Sequence, residues 1–296
     1  MQEDRLVSAI ITTHNRLSLL KEAIESVKHQ TYSNIEILVI DDASTDGTKE
    51  YSENLSDVRY LYIPPSESHG ANHARNVGID NSNGYYVAFL DDDDLWLPAK
   101  IEKQVEAMQL HPECDLCICG YHEECINEID SVKHTPKYSY DSQIIDISKR
   151  CLYSGYVFTS EMFFRKDVFQ KVGKFDIKLQ AWQDGEMSMR VAQVSPICRI
   201  NEPLFIYRIY KNDPYRISNR LNRWKDSMFY IYEKHRELYK GLNFRERIEV
   251  KHSFYAQAVM KSVNSSNKLL RLRYMIPLRL YRILARISEL LGSHLR

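Results

Sequence analysis

Three apolar runs of strand length, each ending on a cluster of polar side chains, constrain the fold of this chain more than any other feature. Leu6–Thr12 leads into Thr12-Thr13-His14-Asn15-Arg16, Ile35–Ile40 into Asp41-Asp42-Ala43-Ser44, and Tyr85–Leu90 into Asp91-Asp92-Asp93-Asp94. A fourth run, Val58–Ile63, lies between the second and the third. Segments of helical period alternate with these runs. Leu20, Ile24 and Val27 share one helix face, Gly70–Ile79 predicts a second helix, and Pro98 suits the first position of a third that carries Ile101, Val105 and Met108. Strands that are apolar throughout are buried on both faces, and strand-helix-strand repetition supplies the helices that cover them. The expected class is α/β, a mostly parallel sheet flanked by helices. Such sheets bind ligands at the carboxyl ends of their strands, and all three polar clusters fall at those ends.

Beyond this segment the pattern thins. Residues 121–150 read as an irregular insertion, while Phe158–Phe164, the Phe175-Asp176 turn and a helix near Asp184–Ala192 return to the core. After Pro214 the chain becomes helical, tyrosine-rich and basic. A length of 296 residues suits one main domain plus an appendage, and the expected division is a sheet domain over 1–214 and a helical extension over 215–296. Formal charge is zero but unevenly spread: Met1 to Pro214 holds 22 Lys+Arg against 34 Asp+Glu, and Tyr215 to Arg296 holds 18 against 6. A basic end of that size suits an anionic surface. After Pro277, Arg279, Arg282, Arg286, Glu289 and Ser293 form one helical stripe and Leu280, Ile283, Leu284, Ile287 and Leu291 another. Such a helix is suited to a bilayer interface, or to packing on the core or on a second copy of the chain. No motif supports nucleic-acid binding.

No run approaches the roughly 18 apolar residues that a membrane span needs, and the N-terminal segment lacks the features of a secretory leader. The expected location is cytoplasmic, peripheral at the inner face of the cell membrane. Cysteines in that compartment are expected as free thiols. Cys117 and Cys119, two apart in an apolar run, read as buried strand thiols rather than a zinc site, because a second C-x2-4-C pair is missing.

The polar clusters carry the chemistry. A carboxylate just past a strand end accepts hydrogen bonds from a ribose or a base edge. Four consecutive aspartates repel one another and raise one another's pKa unless a cation neutralises them. Mg²⁺ and Mn²⁺ favour carboxylate and diphosphate oxygens together. The alternative is a solvated acidic turn, which the position of the run directly after an apolar strand disfavours. The first cluster has no glycine, which argues against a sugar nucleotidylyltransferase loop, and no GxxxxGK[ST] is present for a P-loop kinase.

The segments SAIITTHNR, SVKHQTYSNIEILVIDDASTDGT, ARNVGI and GYYVAFLDDDDLWLPAKIEKQ, in this order, resemble the family 2 inverting glycosyltransferases, closely over residues 6–110 and thinly to about 210. The resemblance implies the GT-A nucleotide-sugar-binding fold and, position by position, a set of roles. Thr12, His14 and Arg16 lie in a first nucleotide-binding loop, with Thr12 and His14 placed to touch uracil or ribose. Asp42 matches the aspartate that bonds the base, with Asp41 beside it, and Arg75 matches a residue near the diphosphate. Asp91 and Asp93 match the DxD pair, Asp93 as the direct metal ligand, while the four-aspartate run keeps Asp92 in the donor-binding set. Phe175-Asp176-x-x-Leu179-x4-Asp184-Gly185-Glu186 resembles FDxxLxxxxDxE, which makes Asp184 the catalytic base, with Gln183 where the family usually has Glu. Trp182 suits either a sugar face or the core. In Tyr207-Arg208-Ile209-Tyr210, Tyr210 stands where many members have a histidine near the metal, which puts a third protein ligand in doubt.

The implied reaction is a single displacement. A Mn²⁺ or Mg²⁺ ion held by Asp91–Asp93, helped by Arg75, stabilises charge on the departing nucleoside diphosphate, while Asp184 takes the acceptor proton. The implied donor is a nucleotide sugar of the UDP type, the acceptor a glycan or lipid-linked hydroxyl, and the setting bacterial surface-polysaccharide synthesis. The competing reading is a catalytically weak nucleotide-sugar-binding subunit of a membrane-associated glycan assembly complex.

Overall fold

The structure, a computed structural model, describes residues 4–126, 131–135, 144–145, 148–152, 157–210, 221–262 and 268–293. These fall into two compact units, the first within 1–146, 157–177 and 190–213 and the second within 147–156, 178–189 and 214–296. The expected boundary at Pro214 lies outside the described residues.

The first unit is built on one sheet. Its strands are β1 Val7–Thr13, β2 Ile35–Asp42, β3 Val58–Ile63, β4 Tyr86–Asp91, β5 Leu95–Trp96, β6 Leu116–Ile126, β7 Ser131–His134, β8 Ile144–Ile145, β9 Phe163–Arg165 and β10 Ile197–Tyr210. Along the main path they run β3-β2-β1-β4-β9-β6-β10-β5. The β3-β2-β1-β4 part is wholly parallel, as the apolar runs predict, and β10 pairs parallel with β6. The short β9 and β5 run antiparallel to their neighbours. One expectation is corrected. Part of the supposed irregular insertion is strand, since β6 extends to Ile126 and pairs with β7. The 14-residue β10 is long but broken in register around Pro203, which hides it from a period-2 reading.

Helices cover both faces. α1 Leu17–Lys28 buries Leu20, Ala23, Ile24 and Val27, and α4 Lys100–Leu110 buries Ile101, Val105 and Met108. Both join a cluster with Val7, Ala9 and Ile11 of β1. Successive strand side chains point to opposite faces, so Ile10 faces the other way, where Gly78 of α3 Ala71–Asn81 meets it. Two short helices, α2 Thr48–Glu53 and α5 Val168–Val172, complete the set within this unit. Cys114, Cys117, Cys119 and Cys198 are buried in the same core as free thiols.

The second unit is helical. It contains α7 Leu221–Lys234, α8 Arg236–Lys240, α9 Phe244–Ser262 and α10 Lys268–Ser293, with most of α6 Gln183–Val191. Its core gathers Ala181, Trp224 and Ala258, with Phe254 and Tyr274 packed against them. Among the described residues no helix is long and apolar enough to cross a membrane.

Candidate active site

The chain leaves β1 through α1 towards β2 and β3, then returns through α3 to β4 on the other side of β1. That reversal opens a crevice between the carboxyl ends of β1 and β4, the place where open α/β sheets bind ligands. Register puts Thr12 beside Asp91 and Thr13 beside Asp41, so the three polar clusters share one rim.

The four aspartates divide by orientation. Asp91 and Asp93 have side chains 34% and 24% exposed, whereas Asp92 and Asp94 are buried. Asp92 accepts hydrogen bonds from Thr13 Oγ1 at 2.7 Å and Arg16 Nη1 at 3.0 Å. Burial and the adjacent Asp93 charge push its carboxyl up to about 7. Asp94 accepts from the Ser160 hydroxyl at 2.5 Å and the Arg208 amide at 3.0 Å. Burial first, then the charges of Asp93 and Asp91, hold its carboxyl well above the usual range. The even-numbered pair thus anchors the turn and the odd-numbered pair presents oxygen to solvent.

Three guanidinium groups converge on this turn. Arg16 also reaches Asp93 Oδ2 at 3.1 Å, and Arg75 Nη2 donates to Asp91 Oδ1 at 2.7 Å. Arg208 Nε donates to the Asp93 carbonyl at 2.6 Å while its Nη1 pairs with Glu22 at 2.5 Å. Arg75 and Arg208 are each 4% exposed, and Arg75 Nε and Arg208 Nη2 are buried without a hydrogen-bond partner among the described residues. These arginines already offset much of the negative charge, so the acidic run does not by itself demand a metal. The donor set still fits one. Two partly exposed carboxylates, with the remaining positions left to diphosphate and water, match the way Mg²⁺ is usually held. Among the described residues there is no group of three or more His, Cys, Asp or Glu placed to bind a metal.

At the end of β2, neighbouring aspartates differ. Asp41 is fully buried, accepting from the Ser44 amide at 2.8 Å and the Tyr60 hydroxyl at 2.7 Å. Asp42 is 8% exposed, and its Oδ1 is buried with no partner among the described residues. An orphaned carboxylate oxygen is costly to keep, and it fits a donor supplied by a ligand. The Asp42 carbonyl lies 2.5 Å from His14 Nδ1, which must therefore carry the proton. Asn15 and Ala43 adopt left-handed backbone at φ 53° and 65°, sparsely populated conformations that tend to cluster at functional sites. The two loops are tied by Asn15 N to Ser44 Oγ and Thr45 N to Asn15 Oδ1, both at 2.8 Å.

In the second unit, Asp184 sits in the first turn of α6, its Oδ1 accepting from the Gly185 amide at 2.7 Å. Glu186 on the same turn is fully buried and pairs with Lys234 Nζ and His235 Nε2, each at 2.9 Å. Just before α6, Trp182 has φ 61° and lines a cavity of about 530 Å³ with Phe229, Tyr232, Phe254, Tyr255 and Asp226. Trp224 by contrast is buried, its indole donating to Gln257 at 3.2 Å.

The anchoring roles of Thr13, Ser160 and Arg208 go beyond the sequence-based assignments, in which Thr13 stands only as a member of the first polar cluster. Arg208 was visible in the Tyr207–Tyr210 motif, where the missing histidine drew attention instead.

Residues 8–173 match the family described as Glycosyl transferase family 2. An uncharacterized glycosyltransferase of Rickettsia prowazekii is 32% identical over 229 residues, covering 75% of this chain and 70% of the relative. Across related Rickettsia proteins the aligned part spans from 32% to 70% of their own length. The Escherichia coli enzyme WfaP, named as a UDP-Glc:α-D-GlcNAc-diphosphoundecaprenol β-1,3-glucosyltransferase, is 40% identical over 104 residues, 35% of this chain and 41% of that one. Among solved structures, Staphylococcus aureus TarS in complex with UDP superposes with a TM-score of 0.57 at 16% identity, covering 96% of this chain and 92% of that one. A Pyrobaculum calidifontis mannosyltransferase in complex with GDP-Man and Mn²⁺ gives 0.56 at 17%, covering 96% and 84%. Both share the GT-A type of architecture, a large sheet flanked by helices. With its carboxylate-rich rim built on that fold, this chain belongs to glycosyl transferase family 2.

Proposed function

We propose that this chain transfers a sugar from a nucleoside diphosphate donor of the UDP class to a glycan or lipid-linked acceptor hydroxyl, with inversion, in the synthesis of a bacterial surface polysaccharide. The observation that carries the reading is the crevice between β1 and β4. There, partly exposed Asp91 and Asp93 meet the guanidinium groups of Arg16 and Arg75, beside the buried oxygen of Asp42 that has no donor among the described residues. Asp42 would accept a hydrogen bond from the base or ribose, with Thr12 and His14 alongside. Arg16 and Arg75 would hold the diphosphate by charge-assisted bonds. Asp91 and Asp93 would hold Mn²⁺ or Mg²⁺, which supplies further positive charge for the leaving group. Asp184 would accept the proton of the attacking hydroxyl. The UDP and acceptor assignments are supported by the names of WfaP and TarS and by the aromatic cavity around Trp182, whose rings suit the apolar face of a sugar.

Calorimetry with UDP and Mn²⁺, and release of nucleoside diphosphate from a panel of nucleotide sugars, test the two halves separately. Asp93→Ala should abolish metal-dependent UDP binding. Asp184→Asn should keep that binding and lower sugar transfer by about 10²–10⁴-fold. Unchanged affinity in the first variant removes the metal role, and unchanged turnover in the second removes the base. A wild type that binds UDP but releases none from any donor supports the binding-subunit reading instead.

A further inference from the structure

Among the described side chains, α10 packs on α9 along one side. Tyr281 stacks on Tyr255 with centroids 5.6 Å apart and planes 13° apart, and Tyr274 packs against the core of the second unit. At the helical period those tyrosines share a face with half-buried Leu278. Leu272, Ile276, Leu280, Ile283 and Ile287 fall on the opposite face and are between 46% and 63% exposed. From the first to the last the row is about 22 Å long at the helical rise. Single exposed leucines and isoleucines are ordinary, but a contiguous row marks a contact surface.

The charges beside the row say what it contacts. Exposed Arg271, Arg279 and Arg282 run along one edge and exposed Arg273 along the other. Between Lys268 and Ser293 the sequence has five arginines and one lysine against a single glutamate. A second copy of α10 laid on this face would bring rows of like charge together, whereas an anionic surface would neutralise them. Arginine stems can lie along apolar surface while their heads stay in water. With no described helix long and apolar enough to span, the geometry suits lying along a membrane rather than crossing it.

We propose that α10 docks in the interface of an anionic phospholipid bilayer, with the row from Leu272 to Ile287 among the acyl chains and the arginines on the headgroups. This surface shares no residue with the nucleotide site, so vesicle binding and UDP binding succeed or fail separately.

The test is co-sedimentation of the full chain with vesicles of phosphatidylcholine alone and of phosphatidylcholine mixed with phosphatidylglycerol. The wild type should bind the mixed vesicles, and added salt should weaken the binding. Ile276→Asp with Ile283→Asp should reduce it by at least about tenfold, and Arg279→Gln with Arg282→Gln should reduce it without touching the apolar row. All four side chains are exposed, and an unchanged melting temperature and UDP affinity would show that each variant is folded. Should the isoleucine pair fail that control, the arginine pair alone decides. Binding that is absent in the wild type, or equal in wild type and folded variants, overturns the proposal. So does a concentration-dependent dimer in sedimentation velocity that the isoleucine variant abolishes while vesicles bind neither protein.

Discussion

Asp41 has both carboxylate oxygens bonded within the protein, while Asp42 keeps Oδ1 buried with no donor among the described residues. Adjacent residues on one strand therefore respond differently to the same change. In Asp41→Asn an amide replaces one acceptor oxygen and the charge is lost, so the two bonds become neutral ones and either the Tyr60 bond must reverse or the Ser44 bond must break. A hydrogen bond to a charged group contributes about 1.5–3 kcal/mol, and a loss of that size should appear as a lower denaturation midpoint. Asp42→Asn neutralises a largely buried carboxylate whose Oδ1 has no partner among the described residues. Stability should hold or rise, while UDP affinity measured by calorimetry should fall by about 10–100-fold. If Asp41→Asn instead abolished UDP binding at full stability, the roles of the two aspartates would be reversed. The resemblance singles out Asp42, but position at the strand end alone does not separate the two, because the structural role of Asp41 depends on Tyr60 of β3, a partner brought there only by the sheet.

At the scale of elements, the crevice depends on how closely α3 lies on β1. A Cβ placed on Gly78 would come within 2.5 Å of Ile10 Cγ2, so the absence of a side chain at Gly78 sets the helix-to-sheet distance. Gly78→Ala should raise helix propensity yet destabilise the protein by about 1–3 kcal/mol through overpacking, as measured by urea denaturation. Pairing it with Ile10→Ala should cost less than the sum of the two single changes, because the second removes Cγ2, the atom in the closest contact. A stable single variant would mean that α3 has room to move. Elements of this kind were legible where local pattern and burial agree: the β1 to β4 runs, the inner face of α1, and the inner face of α4. They were not legible where pairing is long-range. β10 contains Asn201-Glu202-Pro203 at its register break, and its alternation resets there. The Tyr207–Tyr210 motif contains Arg208, but its anchoring role arises only because β10 lies next to the aspartate turn.

At the scale of the whole molecule, one charge in the core ties stability to pH. Lys100 is fully buried, with Nζ 2.8 Å from Gln104 Oε1 and 4.1 Å from the Trp96 ring centroid. Burial pushes its ammonium pKa down from 10.5 to about 8. Below pH 8 the folded protein carries this charge in its core and bears the full desolvation cost. Between about 8 and 10.5 the unfolded chain binds more protons at this position than the folded one, so stability rises with pH across that window. The buried thiols work the other way: burial raises Cys114 and Cys119 to about 12, and their neutral forms favour the folded state less once free cysteine would ionise. Their effect on the pH profile is opposite in sign, and a simple pH–stability curve would blend the two. Comparison with Lys100→Met isolates the amine, because the cysteines are common to both proteins. Relative to that variant the wild type should gain up to about 3 kcal/mol in unfolding free energy as pH rises from 7 to 10.5, following 1.36 kcal/mol per unit of pKa. Methionine cannot donate to Gln104, so the variant should be the less stable protein at the alkaline end, where the neutral amine keeps that hydrogen bond. Paired urea titrations across this range measure the gap directly, and a gap that stays flat with pH would mean that Lys100 keeps its proton in the core to the same pH as in the open chain.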